Sequence, residues 1–280
     1  MSDPHRKSLG LKEGRLSLLE WPGSGPTFHF AHANGFNAQT YSQLLAPLGG
    51  RFSVLASDAR GHGLTDLPTV PGSAKGWDLL ARDLAETLEQ LPAGPIVLAG
   101  HSLGGITSMM VAAARPDRVR GLILVEPVLV PEKYPGPGPA LAVMTRKRRD
   151  RFASLEDALN SYRGRGAFAS WPEGVLRDYL EGGLLPADDG VRLACSPAWE
   201  AEIYADNPVG AAQLASKVNC PITVLYGDTN STAPDSEVKF IAQHATARIV
   251  KIPGASHFLP MEKPEVVREE IARMMETANL

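Results

Sequence analysis

Ile96-Val97-Leu98-Ala99-Gly100-His101-Ser102-Leu103-Gly104-Gly105 is the stretch on which the reading of this chain turns. Its first residues are apolar and β-branched at the start, which predicts a short buried strand. A helix-like run from Ile106 to Ala114 follows at once. Between the two, Gly-x-Ser-x-Gly predicts a sharp turn too crowded for neighbouring Cβ atoms. Such a turn lifts the Ser102 hydroxyl clear at the carboxyl end of the strand. The strand–turn–helix context marks Ser102 as a candidate nucleophile and separates it from an ordinary glycine-rich βα turn.

Outward from that turn, apolar strands and amphipathic helices alternate. Leu9 to Trp21 alternates weakly before Pro22-Gly23-Ser24-Gly25, predicting one or two antiparallel edge strands. Thr27–Ala31 and Ser53–Ser57 read as strands, with a helix over Thr40–Leu48 between them. Leu79, Leu80, Leu84, Leu88 and Leu91 recur at helical spacing, so Gly76 to Leu91 predicts an amphipathic helix. Arg120–Val125 is a further buried strand ending at Glu126-Pro127. From 128 to 215 there is no strong strand signal, only helix-like runs such as Leu141–Asn160 and Glu173–Leu180. Alternation resumes with the strand Ile222–Tyr226, a helix near Pro234–His244, the strand Arg248–Ile252 and a final helix over Pro264–Met275. This order predicts a parallel sheet with helices on both faces. The domain reading is a core of 1–127 and 216–280 with an inserted, mostly helical block at 128–215.

With 280 residues the chain is long enough for one large α/β domain carrying an insertion. A net charge of −3 gives no reason to expect nucleic acid or an anionic membrane as partner. The polar start, Met1-Ser2-Asp3-Pro4-His5-Arg6-Lys7, lacks the apolar centre of a secretory signal, and no run is long enough to span a bilayer. The two cysteines, Cys195 and Cys220, show no metal-like spacing and read as free thiols. A cytoplasmic protein, monomer or homodimer, is the expectation.

The segments His32-Ala33-Asn34-Gly35, Asp58-Ala59-Arg60-Gly61-His62-Gly63, Gly100-His101-Ser102-Leu103-Gly104 and Gly254-Ala255-Ser256-His257, in this order, resemble those of a capped α/β-hydrolase of the esterase/lipase type. The resemblance spans nearly the whole chain. It implies the α/β-hydrolase fold: a mostly parallel sheet flanked by helices, with a helical cap inserted after the sixth strand.

Ser102 needs a base. Among the seven histidines, His257 follows the last predicted strand, in a loop emerging at the sheet edge where Ser102 sits. His101 is expected to point away from the pocket, His62 to brace loops and His32 to support the oxyanion loop. His5, His29 and His244 have no motif around them. The third member departs from the family pattern. Relatives most often place an acid three residues past the glycine here numbered 227, and this chain has Asn230 there. A neutral amide does not balance an imidazolium. Glu126, at an acid position used by some relatives, is the favoured substitute, and Asp228 the alternative. For the oxyanion, the backbone N–H groups of Leu103 and Asn34 are the candidates. The Asn34 side chain either reaches substrate or holds its loop.

Met144, Phe168, Trp171, Tyr179, Trp199 and Tyr204 supply the inserted block with aromatic and flexible apolar surface, part facing substrate and part facing the sheet. The basic run Arg146-Lys147-Arg148-Arg149 with Arg151 reads as a solvated face, with binding of an acidic substrate such as an acyl-CoA as the sharper alternative. Cys195 has no base motif beside it. What the resemblance implies is a serine hydrolase cleaving small-molecule carboxylic esters through an acyl-enzyme, with no metal or organic cofactor. Thioesterase, lactonase and C–C bond hydrolase use the same triad, and a non-catalytic binding protein is the rival outside enzymes.

Overall fold

Residues 3–70, 72, 76–132, 138–206 and 208–278 are described by the computed structural model. The chain opens with the antiparallel hairpin β1 (His5–Leu11) and β2 (Gly14–Trp21). Strands β3 (Thr27–Ala31), β4 (Ser53–Ser57), β5 (Ile96–His101) and β6 (Val119–Val125) then alternate with helices α1 (Ser42–Leu45), α2 (Gly76–Gln90) and α3 (Leu103–Ala114). An excursion follows, built from α4 (Gly138–Thr145), β7 (Arg151–Phe152), α5 (Leu155–Tyr162), α6 (Glu173–Gly183), β8 (Leu184–Ala187), β9 (Gly190–Leu193) and α7 (Pro197–Ala205). Strand β10 (Ile222–Gly227), helix α8 (Asp235–His244), strand β11 (Ala247–Ile252), the short α9 (Leu259–Glu262) and α10 (Pro264–Thr277) complete the chain.

The main sheet has eight strands in the order β1-β2-β4-β3-β5-β6-β10-β11, parallel from β4 onward. Strand β5 is buried at every position, because alternate side chains enter two cores. Val97 and Ala99 pack with α1 and α10, and Ile96 and Leu98 pack with α2, α3 and α8. The chain steps from β3 outward to β4 and then returns across β3 to β5. The crevice at the carboxyl ends of β3 and β5 is therefore where the winding reverses, the place where such sheets open to a ligand.

Three expectations need correction. The region Thr40–Leu48 is a short α-turn between two 3₁₀ turns, Ala38–Tyr41 and Ala46–Leu48, with Pro47 entering the second. The run Leu141–Asn160 is not one helix. It stops after Thr145, passes through β7 and restarts at Leu155, where the Ser154 hydroxyl accepts the Asp157 N–H as an N-cap. Nor is the region 128–215 free of strands. Strands β7, β9 and β8 form a three-stranded antiparallel sheet. Asp189-Gly190 at its hairpin is a turn signal the hydropathy pattern overshadowed. The excursion leaves and returns through a bridge between Val130 and Val209, and the 3₁₀ turn Ala211–Lys217 packs on the α3/α8 face of the sheet. No described helix is long and apolar enough to cross a membrane.

Candidate active site

Ser102 stands between β5 and α3 with φ 55°, in the left-handed region. It is one of three non-glycine residues there among those described, with Glu126 and Asn230. All three end strands or follow them at one edge of the sheet, where the surrounding structure holds backbone strain of about 1–3 kcal/mol each. The flanking glycines have a steric cause. A Cβ on Gly104 would lie 2.1 Å from the Ala31 carbonyl oxygen, and one on Gly100 would lie 2.2 Å from the Gly104 backbone. The tight turn thus presses the start of α3 against the end of β3.

Ser102 and His257 line the same cavity, of about 360 Å³. Among the described residues the Ser102 hydroxyl makes no hydrogen bond, so the hydroxyl and the imidazole share a space without a direct bond between them. Behind the imidazole, His257 Nδ1 lies 3.0 Å from Thr232 Oγ1 and 3.5 Å from Glu126 Oε2. Glu126 is fully buried. Its carboxylate accepts from the Gly227 N–H at 2.5 Å, the Ser231 hydroxyl at 2.9 Å and the Thr232 N–H at 3.1 Å. Three hydrogen bonds thus fix the carboxylate beside His257.

Asp228 stands elsewhere. It is exposed, and its carboxylate accepts from the Gly254 N–H at 2.9 Å and from the Thr229 hydroxyl, with no bond to His257. Asn230 is exposed as well.

Helix α3 begins at Leu103, so its first N–H groups have no partner within the helix and carry the positive end of its dipole. Neither the Leu103 N–H nor the Asn34 N–H has a hydrogen-bond partner among the described residues, and both residues line the cavity. The neighbours of Asn34 are tied down. The Ala33 N–H donates to Tyr41 Oη, and the Gly35 N–H donates to His62 Nε2. The Asn34 amide is a brace: its Nδ2 donates to the Glu200 carbonyl at 3.0 Å.

His101 turns away from the cavity and does more than fill space. Tyr41 Oη donates to its Nδ1 at 2.7 Å, and its Nε2–H donates to the His257 carbonyl at 2.7 Å. With the Ala33 bond, a buried chain therefore links the Asn34 loop, the serine turn and the His257 loop. Neither Tyr41 nor Thr232 carries a sequence signal of its role, because each acts through a contact remote in the chain. His32 and His62 are buried loop supports. Each donates from Nδ1 to a backbone carbonyl and accepts an N–H at Nε2. Cys195 is buried, which pushes its thiol well up and leaves it no nucleophile.

Burial holds three rings far from protonation: His29 and His32 down to about 4, and His62 down to about 3, against an ordinary 6.5. Unfolded, these rings bind protons as pH falls through 6.5; folded, they do not until about 4 or below. Above pH 6.5 they leave stability unchanged, and below it they remove stability down to their folded values. By pH 5 the three together remove on the order of 6 kcal/mol, comparable with the whole stability of many domains. Urea unfolding should therefore show a steep loss of stability between pH 6.5 and 5. A flat profile over that range contradicts the buried, neutral assignment of these rings.

The cavity is walled by the excursion as well as by the sheet loops. Phe168, Tyr204 and Leu141 line it. Trp171, Tyr179 and Trp199 are buried in packing, and Met144 is 70 % exposed, outside it. Phe36 of the Asn34 loop meets Trp171 edge-on at 5.1 Å, and Trp171 meets Phe258, next to His257, at 5.8 Å. One aromatic cluster thereby fixes the excursion to both the Asn34 loop and the His257 loop.

Comparison with known proteins agrees with the fold. The chain is 27% identical over 280 residues to 2-(acetamidomethylene)succinate hydrolase of Mesorhizobium japonicum, covering 99% of this chain and 98% of the relative. It is 23% identical to 3-oxoadipate enol-lactonase 2 of Acinetobacter baylyi, covering 91% of this chain and 90% of the relative. The crystal structure of E-2-(acetamidomethylene)succinate hydrolase superposes with a TM-score of 0.85 at 25% identity, covering 98% of this chain and 100% of that one. A family model for the alpha/beta hydrolase family matches residues 30–270, the span that holds the strained serine, the histidine loop and the reversing sheet between them. This chain belongs to the alpha/beta hydrolase family.

Proposed function

We propose that the protein is a serine hydrolase that cleaves carboxylic esters of small molecules through an acyl-enzyme. The observation that carries this reading is one cavity lined by both Ser102 and His257, with the Glu126 carboxylate behind the imidazole. Ser102 Oγ attacks the carbonyl carbon while His257 Nε2 takes its proton. The oxyanion is received by the Leu103 and Asn34 N–H groups, each of which is worth about 2.7–4 kcal/mol in such sites. Glu126 balances the imidazolium, and the Thr232 hydroxyl orients it. His257 then protonates the leaving alcohol, and water activated by the same ring releases the acid. The region 128–215 serves as a cap that closes the apolar part of the cavity over the acyl chain.

The relatives' names favour a second reading on the same machinery, in which the bond cleaved is an enamide or enol-lactone acyl bond. A fluorophosphonate probe and a substrate panel test both. We expect one probe molecule to add covalently to the peptide containing Ser102. We expect turnover of short-chain nitrophenyl esters to exceed that of matched thioesters, lactones and enamides. No labelling sinks both readings, and faster enamide or lactone turnover selects the second.

A further inference from the structure

The basic run 146–149 does not form one surface. Arg146 pairs with Glu202 and Arg149 with Asp157, both at the exterior, whereas Arg148 turns inward and lines the cavity. Its guanidinium carries five N–H donors in a fixed fork. Nε–H and one Nη2–H donate to Tyr162 Oη, each at 3.2 Å. The second Nη2–H donates to Tyr179 Oη, and one Nη1–H donates to Glu200 Oε2 at 2.8 Å. One Nη1–H remains without an acceptor among the described residues.

Glu200 also lines the cavity, and its side chain is 7 % exposed. Burial pushes its carboxyl up and Arg148 pulls it back down in part. A carboxylate ligand is gripped best by two parallel N–H donors of one guanidinium. Each such pair on Arg148 is already used. A carboxylate arriving here would moreover lie beside the Glu200 carboxylate in a largely apolar chamber, where like charges repel strongly. A single free N–H suits a neutral oxygen.

Resting on the hydrolase reading above, we propose that Arg148 and Glu200 form a specificity site for an uncharged, hydrogen-bond-accepting group, such as a ketone or amide oxygen, on the non-reacting end of the acyl chain. Glu200 is the element that excludes carboxylates, by cancelling the charge that would otherwise attract them. The substrate class is thus a neutral ester bearing a second carbonyl. This differs from the acids named for the two succinate hydrolases the chain is similar to.

The test uses nitrophenyl esters of three acyl groups matched in length and ending in isopropyl, carboxamide or carboxylate, with spontaneous hydrolysis subtracted. In the wild-type protein kcat/KM for the carboxamide should exceed that for the carboxylate by at least about tenfold, as expected for like-charge juxtaposition in a desolvated site. Glu200→Gln should shrink that ratio by about tenfold or more, because it frees the Arg148 charge. The double variant Arg148→Gln/Glu200→Gln, which leaves no buried charge unpaired, should lose the carboxylate turnover gained by the single one. Each ratio is measured within one protein, so a partial loss of folded enzyme cancels. A wild-type preference for the carboxylate, or a ratio unmoved by Glu200→Gln, overturns the proposal while leaving the hydrolase reading standing. Absence of both turnover and fluorophosphonate labelling in the wild-type protein removes the reading and this proposal together.

Discussion

Ser102→Ala should lower kcat on the best nitrophenyl ester by roughly 10⁶, to the rate left by the oxyanion donors and binding alone. The size of the effect follows from the acyl-enzyme route, because without Oγ no covalent intermediate forms and His257 has no proton to take. The methyl side chain fits the space the hydroxymethyl group occupied, and the strained backbone at φ 55° is set by the neighbours of Gly100 and Gly104 rather than by the serine hydroxyl. The variant should therefore fold with an unchanged melting temperature and lose fluorophosphonate labelling completely. Residual kcat above about one per cent of wild type would show that another group performs the attack.

The second large effect concerns the acid. Glu126→Gln should lower kcat by about 10⁴, the scale seen when an amide replaces the carboxylate of a serine-protease triad. Two causes combine. A glutamine cannot balance the imidazolium, and its NH₂ must face donors, since Gly227, Ser231 and Thr232 all point hydrogens at this carboxylate. The mismatch should also cost stability, so thermal unfolding is measured beside kcat to separate the two. Asp228→Asn should change kcat less than about twofold, because an exposed amide oxygen can still accept the Gly254 N–H. If Asp228→Asn is the damaging change and Glu126→Gln the mild one, the acid role belongs to Asp228.

Much of the architecture was legible before any contact was known. Strand β5 is apolar at both of its faces, α2 repeats leucine at helical spacing, and Gly-x-Ser-x-Gly lies between a strand and a helix. Each is a local pattern, and the backbone geometry it demands is local too. The excursion is less legible in the sequence. Strands β7, β8 and β9 are two to four residues long, too short for alternation to appear, and they are held by pairing with one another. In sequence Arg148 is indistinguishable from its charged neighbours, although Arg146 and Arg149 face out while Arg148 faces Tyr162, Tyr179 and Glu200.

Local sequence is enough for the alternating sheet, the crowded serine turn and the histidine that follows the last strand, since steric exclusion and period-two hydropathy act between residues close in the chain. Long-range packing is what puts Glu126 rather than Asp228 behind His257, with Thr232 beside both. It alone joined Tyr41, His101 and the His257 carbonyl, and neutralised Arg148 with Glu200. Those contacts bring together residues from separate elements. Hydrogen-bond direction and burial are properties of the space between elements, and no short stretch of chain carries them.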